Sequence, residues 1–320
     1  MTLAPSRQDI DEARARIDGL VHRTPLLSSR ALGARSGLEV FVKAENLQKT
    51  GSFKPRGVFN KVLSLPADER AKGIITASAG NNGQAVAFVA AHQRIPGWVV
   101  MPEAANRSKV AAVREYGAEA VLHGTLWDDA YARSVEIGRE KGLSYVHPFK
   151  DRYIMAGQAT VAVEILEDLP DVEVVLVPIG GGGLIAGMAS AFKVMAPQVK
   201  VIGVEPEGAA NMARSREAGR PVELDAVETL ADGLATKKTD PEVWEAIAPN
   251  VETFVTVSDE EMVSAIRFLL ERAKLLTEVS GAATTAALLS GRLDLSAGTK
   301  TVAVLSGGNF DVSGKLELRG

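Results

Sequence analysis

Apolar residues along this chain gather into short runs, and most runs are followed by a stretch where they recur every three or four positions. The runs are LEVFVKAE (38–45), GIITAS (73–78), GWVVMP (97–102), AEAVLH (118–123), EVVLVPI (173–179), VKVIGVEP (199–206), VETFVTV (251–257) and TKTVAVLS (299–306). Their length and their content of valine and isoleucine predict buried β-strands. Helical spacing falls at 81–94, 106–116, 127–141, 153–168 and 259–273. Strands alternating with helices predict an α/β protein with mostly parallel sheets covered by helices on both faces. Such sheets place their ligands outside the carboxyl ends of the strands. The unusual turns of this chain stand there, after residues 78, 179 and 305. The strands between 73 and 123 are shorter and punctuated by glycine. That predicts a small domain, 69–147, inserted into a larger one formed by 1–68 and 148–320.

Composition narrows the class. The chain has 320 residues, room for two lobes. With 46% hydrophobic and 24% charged residues it reads as an ordinary soluble globular protein. The net charge of −4 argues against nucleic acid or an anionic membrane as partner. The apolar runs stop well short of the ~20 residues of a membrane span. The start, MTLAPSRQDIDEARARID, lacks the apolar core of a signal peptide, so a cytoplasmic location is expected. Cysteine is absent, which excludes disulfides, thiolate metal sites and thiol nucleophiles. The four histidines, His22, His92, His123 and His147, show no ligand spacing, against a zinc site or a charge-relay triad.

Four turns carry candidate chemistry. PIGGGGLIAG (178–187) follows a strand and opens a helix. Its glycines free backbone N–H groups to point at an anion, and the helix N-terminus adds its positive dipole end, so a phosphate cradle is expected. No Gly-Lys-Ser/Thr follows, so it is not a Walker loop. Bulk at Gly181 or Gly182 is expected to fill the phosphate's place. TASAGNNGQAVA (76–87) crowds Ser78, Asn81, Asn82 and Gln84 into one turn. One helix cap needs one such residue. The surplus suits a carboxylate or a phenolate-like oxygen. LSGGN (305–309) repeats the theme after the last strand, and KTGSFKPRG (49–57) sets Lys54 between an aromatic residue and a proline. A phosphate cradle with an amine in a tight turn suggests pyridoxal 5′-phosphate bound to lysine.

The order of these motifs, from HRTPLL (22–27) to residue 313, resembles the fold type II family of pyridoxal-phosphate enzymes, in its threonine/serine ammonia-lyase (dehydratase) and serine racemase branch. The resemblance implies two lobes, each with a twisted, mostly parallel sheet flanked by helices. It implies that Lys54 carries the cofactor's aldehyde carbon with Phe53 beside the ring. Asn81 would bond the phenolic oxygen, Gly180, Gly181, Gly182 and Gly183 would hold the phosphate, and Ser306 would face the pyridine nitrogen. Lys54 and Ser78 would be catalytic, and Ser78, Ala79, Asn81 and Asn82 would line the amino-acid substrate. The activity implied is α,β-elimination of L-threonine or L-serine to a 2-oxo acid and ammonia, by a homodimer or homotetramer. The alternative is a serine racemase, or a lyase for another 3-hydroxy amino acid such as 3-hydroxyaspartate.

Three positions depart from the family pattern. Asn82 stands where histidine is usual, and Val279 where proline is common. The racemases' metal pattern falls on Glu205, the carbonyl of Ala209 and residue 211, here asparagine rather than aspartate. A divalent cation (Mg, Ca or Mn) is better held by two carboxylates than by one, so that expectation stays open. Ala79 stands where racemases of this family carry a serine, leaving one face of the substrate without a proton donor. Trp127 and Tyr131 are candidates to face the pocket, with core packing as their alternative. The chain ends soon after SGGNFDVSGKLELRG, so feedback by isoleucine through an added regulatory domain is not expected.

Overall fold

The computed structural model describes residues 2–310. Among the described residues ten strands form two sheets: β1 (Leu26–Ser28), β2 (Glu39–Ala44), β3 (Ile74–Ala77), β4 (Gly97–Met101), β5 (Glu119–Leu122), β6 (Ser144–Tyr145), β7 (Val174–Pro178), β8 (Lys200–Pro206), β9 (Thr253–Val257) and β10 (Lys300–Leu305). The first sheet has the order β1-β2-β10-β7-β8-β9, the second β5-β4-β3-β6. All neighbours run parallel except β1 on β2. The interior strands β7 and β3 are buried at every position, as strands covered on both faces must be.

All eight strands expected from apolar runs are present. The runs missed β1 and β6, which are three and two residues long and too short to show a period. The helical spacing at 259–273 resolves into a helix, Asp259–Phe268, followed by a wide π turn, Leu269–Ala273. Lys274 ends it with φ 59°, and the N–H of Leu275 returns to the carbonyl of Leu269 at 3.2 Å. Among the described residues no helix is long and apolar enough to cross a membrane.

Three helices support the polar turns at the strand ends. Arg152–Asp168 and Gly183–Met195 pack in one apolar core on the first sheet, with Met155, Ile165, Ile185 and Met188 all buried. The helix Lys54–Ser64 faces two ways. Its Val58, Phe59 and Val62 join the core of the second sheet with Ile74, Val86 and Val99. Its Arg56 points instead into a buried ion cluster under the first sheet's β2, where Lys43 also ends.

Candidate active site

The site lies where three strands end. β3 runs into Ser78–Gly80, β7 into Gly180–Gly182 and β10 into Ser306–Gly308. The lysine turn is zipped onto the last of these. The N–H of Phe53 donates to the Ser306 carbonyl at 3.1 Å, that of Gly308 donates to the Gly51 carbonyl at 2.8 Å, and Ser52 bridges Gly307. Asn81, opening the helix after β3, donates through Nδ2 to Glu278 at 2.6 Å and accepts at Oδ1 from Asn309 at 2.8 Å. The glycine run packs on Phe149, next to Pro148, whose carbonyl accepts from Lys54 Nζ at 2.8 Å. All four motifs thus meet around one amine.

Several helices begin with a side chain that closes the first turn: Ser6, Ser29, Asn106, Asp151, Asp240 and Ser258. Others, Ala67–Lys72 and Asn211–Ala218 among them, do not. The helices Asn81–Gln93 and Gly183–Met195 begin at Gly80 and Gly182 with no side-chain cap. Ser78 does not cap either, since its Oγ accepts from the N–H of Gly80 at 3.2 Å. Two helix N-termini therefore keep their positive ends and first-turn N–H groups for another partner. Such ends bind anions: one suits a phosphate, the other a carboxylate.

The glycines themselves correct one expectation. A Cβ at Gly181 would lie 2.2 Å from Phe149 Cδ1, and one at Gly182 would meet Ile247, Val243 and Met212. Gly182 also has φ 91°, a left-handed backbone that favours glycine. Side-chain bulk at either position collides with the protein's own interior. It does not fill the anion's place.

Electrostatics single out the amine. Burial lowers the Lys54 pKa to about 8, against an opposing pull from Glu278. Its Nζ stands 5.1 Å from the centroid of the Phe53 ring. Burial, the charge of Lys54 and that of Lys150 push His147 down to about 4, so the imidazole is neutral at pH 7. Its Nδ1 accepts from the N–H of Phe149 and of Lys150, at 3.2 and 2.8 Å, so Nε2 carries the proton. Burial and Asp232 raise Glu278 to about 7, with Asn81, Lys109 and Lys54 opposing. Sequence reasoning noted Asn309 only as part of its turn and His147 only as a histidine without ligand spacing, and it gave no role to Phe149 or Glu278. Glu278 stands next to Val279, which the sequence did single out.

Two residues beyond Lys54, Arg56 anchors the same helix. That guanidinium is fully buried and donates to Glu45 from Nε and Nη2, both at 2.8 Å, and to Glu164 from Nη1 and Nη2 at 2.6 and 2.9 Å. Lys43 Nζ completes the cluster on Glu164 at 2.6 Å and on the Thr24 carbonyl at 2.7 Å. Burial alone pulls the Arg56 pKa down, but Glu45 and Glu164 more than offset it and hold the guanidinium above its usual range. Two cations face two carboxylates, which balances the charge.

Other candidates are spent elsewhere. Asn82 is buried and donates from Nδ2 to Thr76 Oγ1 at 3.0 Å, while its Oδ1 has no hydrogen-bond partner among the described residues. Trp127 stacks on Tyr131 with centroids 5.1 Å apart and donates its indole N–H to the Ala77 carbonyl at 3.1 Å. Tyr131 packs into the second sheet's core. Glu205 is fully buried, and its two oxygens accept from the N–H groups of Met212 and Ala213 at 2.9 and 2.8 Å. Ala209 beside it is buried too. One carboxylate already engaged twice does not fit a divalent cation, and among the described residues no three His, Cys, Asp or Glu side chains converge on one.

A part-buried amine of lowered pKa, two helix N-termini without side-chain caps and a nearly buried Ser306 at the end of β10 fit pyridoxal phosphate. The family model for "pyridoxal-phosphate dependent enzyme" matches residues 17–307, and the chain belongs to that family. It is 46% identical to the L-threonine ammonia-lyase of Thermotoga maritima over 306 residues, 96% of this chain and 76% of that protein. It is 43% identical to the catabolic L-threonine dehydratase TdcB of Escherichia coli K12, over 98% of this chain and 95% of that one. Among solved structures, maize serine racemase superposes with a TM-score of 0.94 at 36% identity, covering 97% of this chain and 95% of that one. The threonine deaminase of T.th. does so with 0.90 at 40%, covering 96% and 99%.

Proposed function

We propose that this enzyme is an ammonia-lyase that converts L-threonine, and L-serine, to a 2-oxo acid and ammonia. The observation that carries the reading is the part-buried Lys54 amine of lowered pKa, set among uncapped helix ends in a chain so similar to threonine ammonia-lyases. Lys54 would hold the cofactor's aldehyde carbon with Phe53 beside the ring. Gly180–Gly183 would hold its phosphate, Asn81 its phenolic oxygen and Ser306 its pyridine nitrogen. When bound there, the cofactor supplies an electron sink for negative charge at the substrate's α-carbon.

The chain's own residues do the rest. Ser78 and the free N–H groups at the start of the helix Asn81–Gln93 bind the substrate carboxylate. Lys54, with a pKa near 8, is already partly unprotonated at neutral pH and takes the α-proton as general base. Ser306 presents a hydroxyl, which cannot fix a proton on a ring nitrogen as a carboxylate does. A weak sink of this kind suits departure of the β-hydroxyl over a long-lived carbanion. Ala79 offers no proton to the opposite face, which weighs against a racemase. The reading also takes 69–147 as the inserted domain that carries the asparagine loop, and the enzyme as a cytoplasmic homodimer or homotetramer.

The test is a panel of 3-hydroxy amino acids given to the cofactor-loaded enzyme, with ammonia and 2-oxo acid measured. L-threonine and L-serine should have the highest kcat/KM. A protein that binds cofactor but releases nothing from either refutes the reading, and a preference for 3-hydroxyaspartate replaces it.

A further inference from the structure

Asn309 has no part in the proposed chemistry, yet it joins three segments. Its Nδ2 donates to the Thr50 carbonyl at 2.7 Å and to Asn81 Oδ1 at 2.8 Å. From the other side Asn81 Nδ2 donates to Glu278 Oε1 at 2.6 Å. The Asn81 amide is held at both ends, with one N–H left over. Two glycines make the room. A Cβ at Gly51 would come within 2.5 Å of Asn309 Oδ1, and one at Gly307 within 2.3 Å of Glu278 Oε1.

An amide side chain can turn over and exchange its donor for its acceptor, so which end faces the site is decided by its partners. An ionised Glu278 only accepts, and therefore demands Nδ2 of Asn81. A protonated Glu278 also donates and no longer discriminates. Glu278 is buried and faces Asp232, Lys109 and Lys54, and the balance brings its protonation close to neutral pH. Asn309 has no such ambiguity. The Thr50 carbonyl can only accept, which fixes Nδ2 of Asn309 as the group that meets Asn81 at any pH.

We propose that Asn309 is a positioning residue that locks the Asn81 amide in one orientation, so that an N–H and never a carbonyl is offered to the cofactor's phenolic oxygen, whether Glu278 is ionised or protonated. The inference rests on the proposed role of Asn81.

The experiment titrates pyridoxal 5′-phosphate into the apo forms of wild type, N309A, E278Q and N309A/E278Q between pH 6 and 8.5. Visible absorption reports the dissociation constant, and each variant is taken as a ratio to wild type so that shared contributions of Lys54 and His147 cancel. At pH 8.5 ionised Glu278 alone holds the amide, and N309A should bind nearly as wild type does. By pH 6 it should be weaker on the order of ten- to a hundredfold, the worth of one hydrogen bond to a charged group. The double variant should be weak throughout, because glutamine donates at every pH. E278Q alone should bind no more weakly than wild type throughout, since losing the carboxylate removes its opposing pull on Lys54, and it carries the test if N309A fails to fold. An N309A ratio that is flat with pH overturns the lock, and so does a weakened E278Q. A wild type that forms no visible band at any pH overturns the underlying reading, and the inference with it.

Discussion

Replacing Arg56 by methionine removes one member of a buried set of four charges. Arg56 and Lys43 face Glu45 and Glu164, and all but Glu164 are fully buried. The substitution leaves one cation against two carboxylates, and strands four hydrogen bonds from the guanidinium to those carboxylates. Breaking a buried pair from one side costs about 3–5 kcal/mol. Burial raises the Glu164 pKa, but Arg56 and Lys43 together bring it below its ordinary value. A carboxylate with a depressed folded pKa stabilises the fold above its unfolded value of about 4.3, and that contribution fades as pH falls through the folded value. Without Arg56, burial is opposed by Lys43 alone and the folded pKa of the stranded carboxylate rises, so protonation relieves it and the penalty should be full at pH 7 and smaller near pH 4.5. Adding Glu45→Gln restores one cation to one carboxylate and should recover roughly 1–3 kcal/mol, the coupling expected within one network. Urea unfolding of the three apo forms at both pH values measures all of this. A loss below about 1 kcal/mol at pH 7, or one that grows on acidification, would refute the account of the cluster.

Lys54→Ala should lose the visible cofactor band and turnover but keep its fold. Because the folded Lys54 pKa is depressed to about 8, the protonated amine disfavours the apo fold below that value, so at pH 7 the variant should be no less stable than wild type; turnover near the wild-type rate would sink the assignment. Gly181→Val should lower apo stability by about 1–3 kcal/mol, since its Cβ must displace the Phe149 ring, and unchanged denaturant midpoints would contradict that contact. Wild type should give pyruvate and ammonia from L-serine with little D-serine, and Ala79→Ser should raise racemisation relative to elimination. A positioned acid is worth ~10²–10⁴-fold, and chiral chromatography showing D-serine as fast as pyruvate in wild type would replace lyase with racemase.

What could be read from residue types was largely what repeats or crowds. Valine-rich runs give strands buried on both faces, and β7 shows why: each of its side chains meets a helix layer. Glycine runs and polar turns mark strand ends, because few other roles need four glycines or three amides in one turn. The sequence could not say which way a side chain points. Asn82 and Asn81 are adjacent in the same loop, but one turns to Thr76 and the other to Glu278 and Asn309. Nor could it tell that Gly181 clears Phe149, 32 positions away, a contact created only by the packing of two segments. Glu205 read as a strand-end acid with two futures, and the backbone N–H groups of Met212 and Ala213 took it.

The helix Lys54–Ser64 sends Arg56 into the charges beneath the first sheet and Val58, Phe59 and Val62 into the second sheet's core. The amine at its head is therefore a joint tenant of both cores, and loosening either one loosens its seat. For this protein, colour becomes a gauge of folding. A damaging substitution deep in the second sheet, far from any ligand, should bleach the holoenzyme before it precipitates it. Selection acting on cofactor retention alone would then police packing throughout the chain.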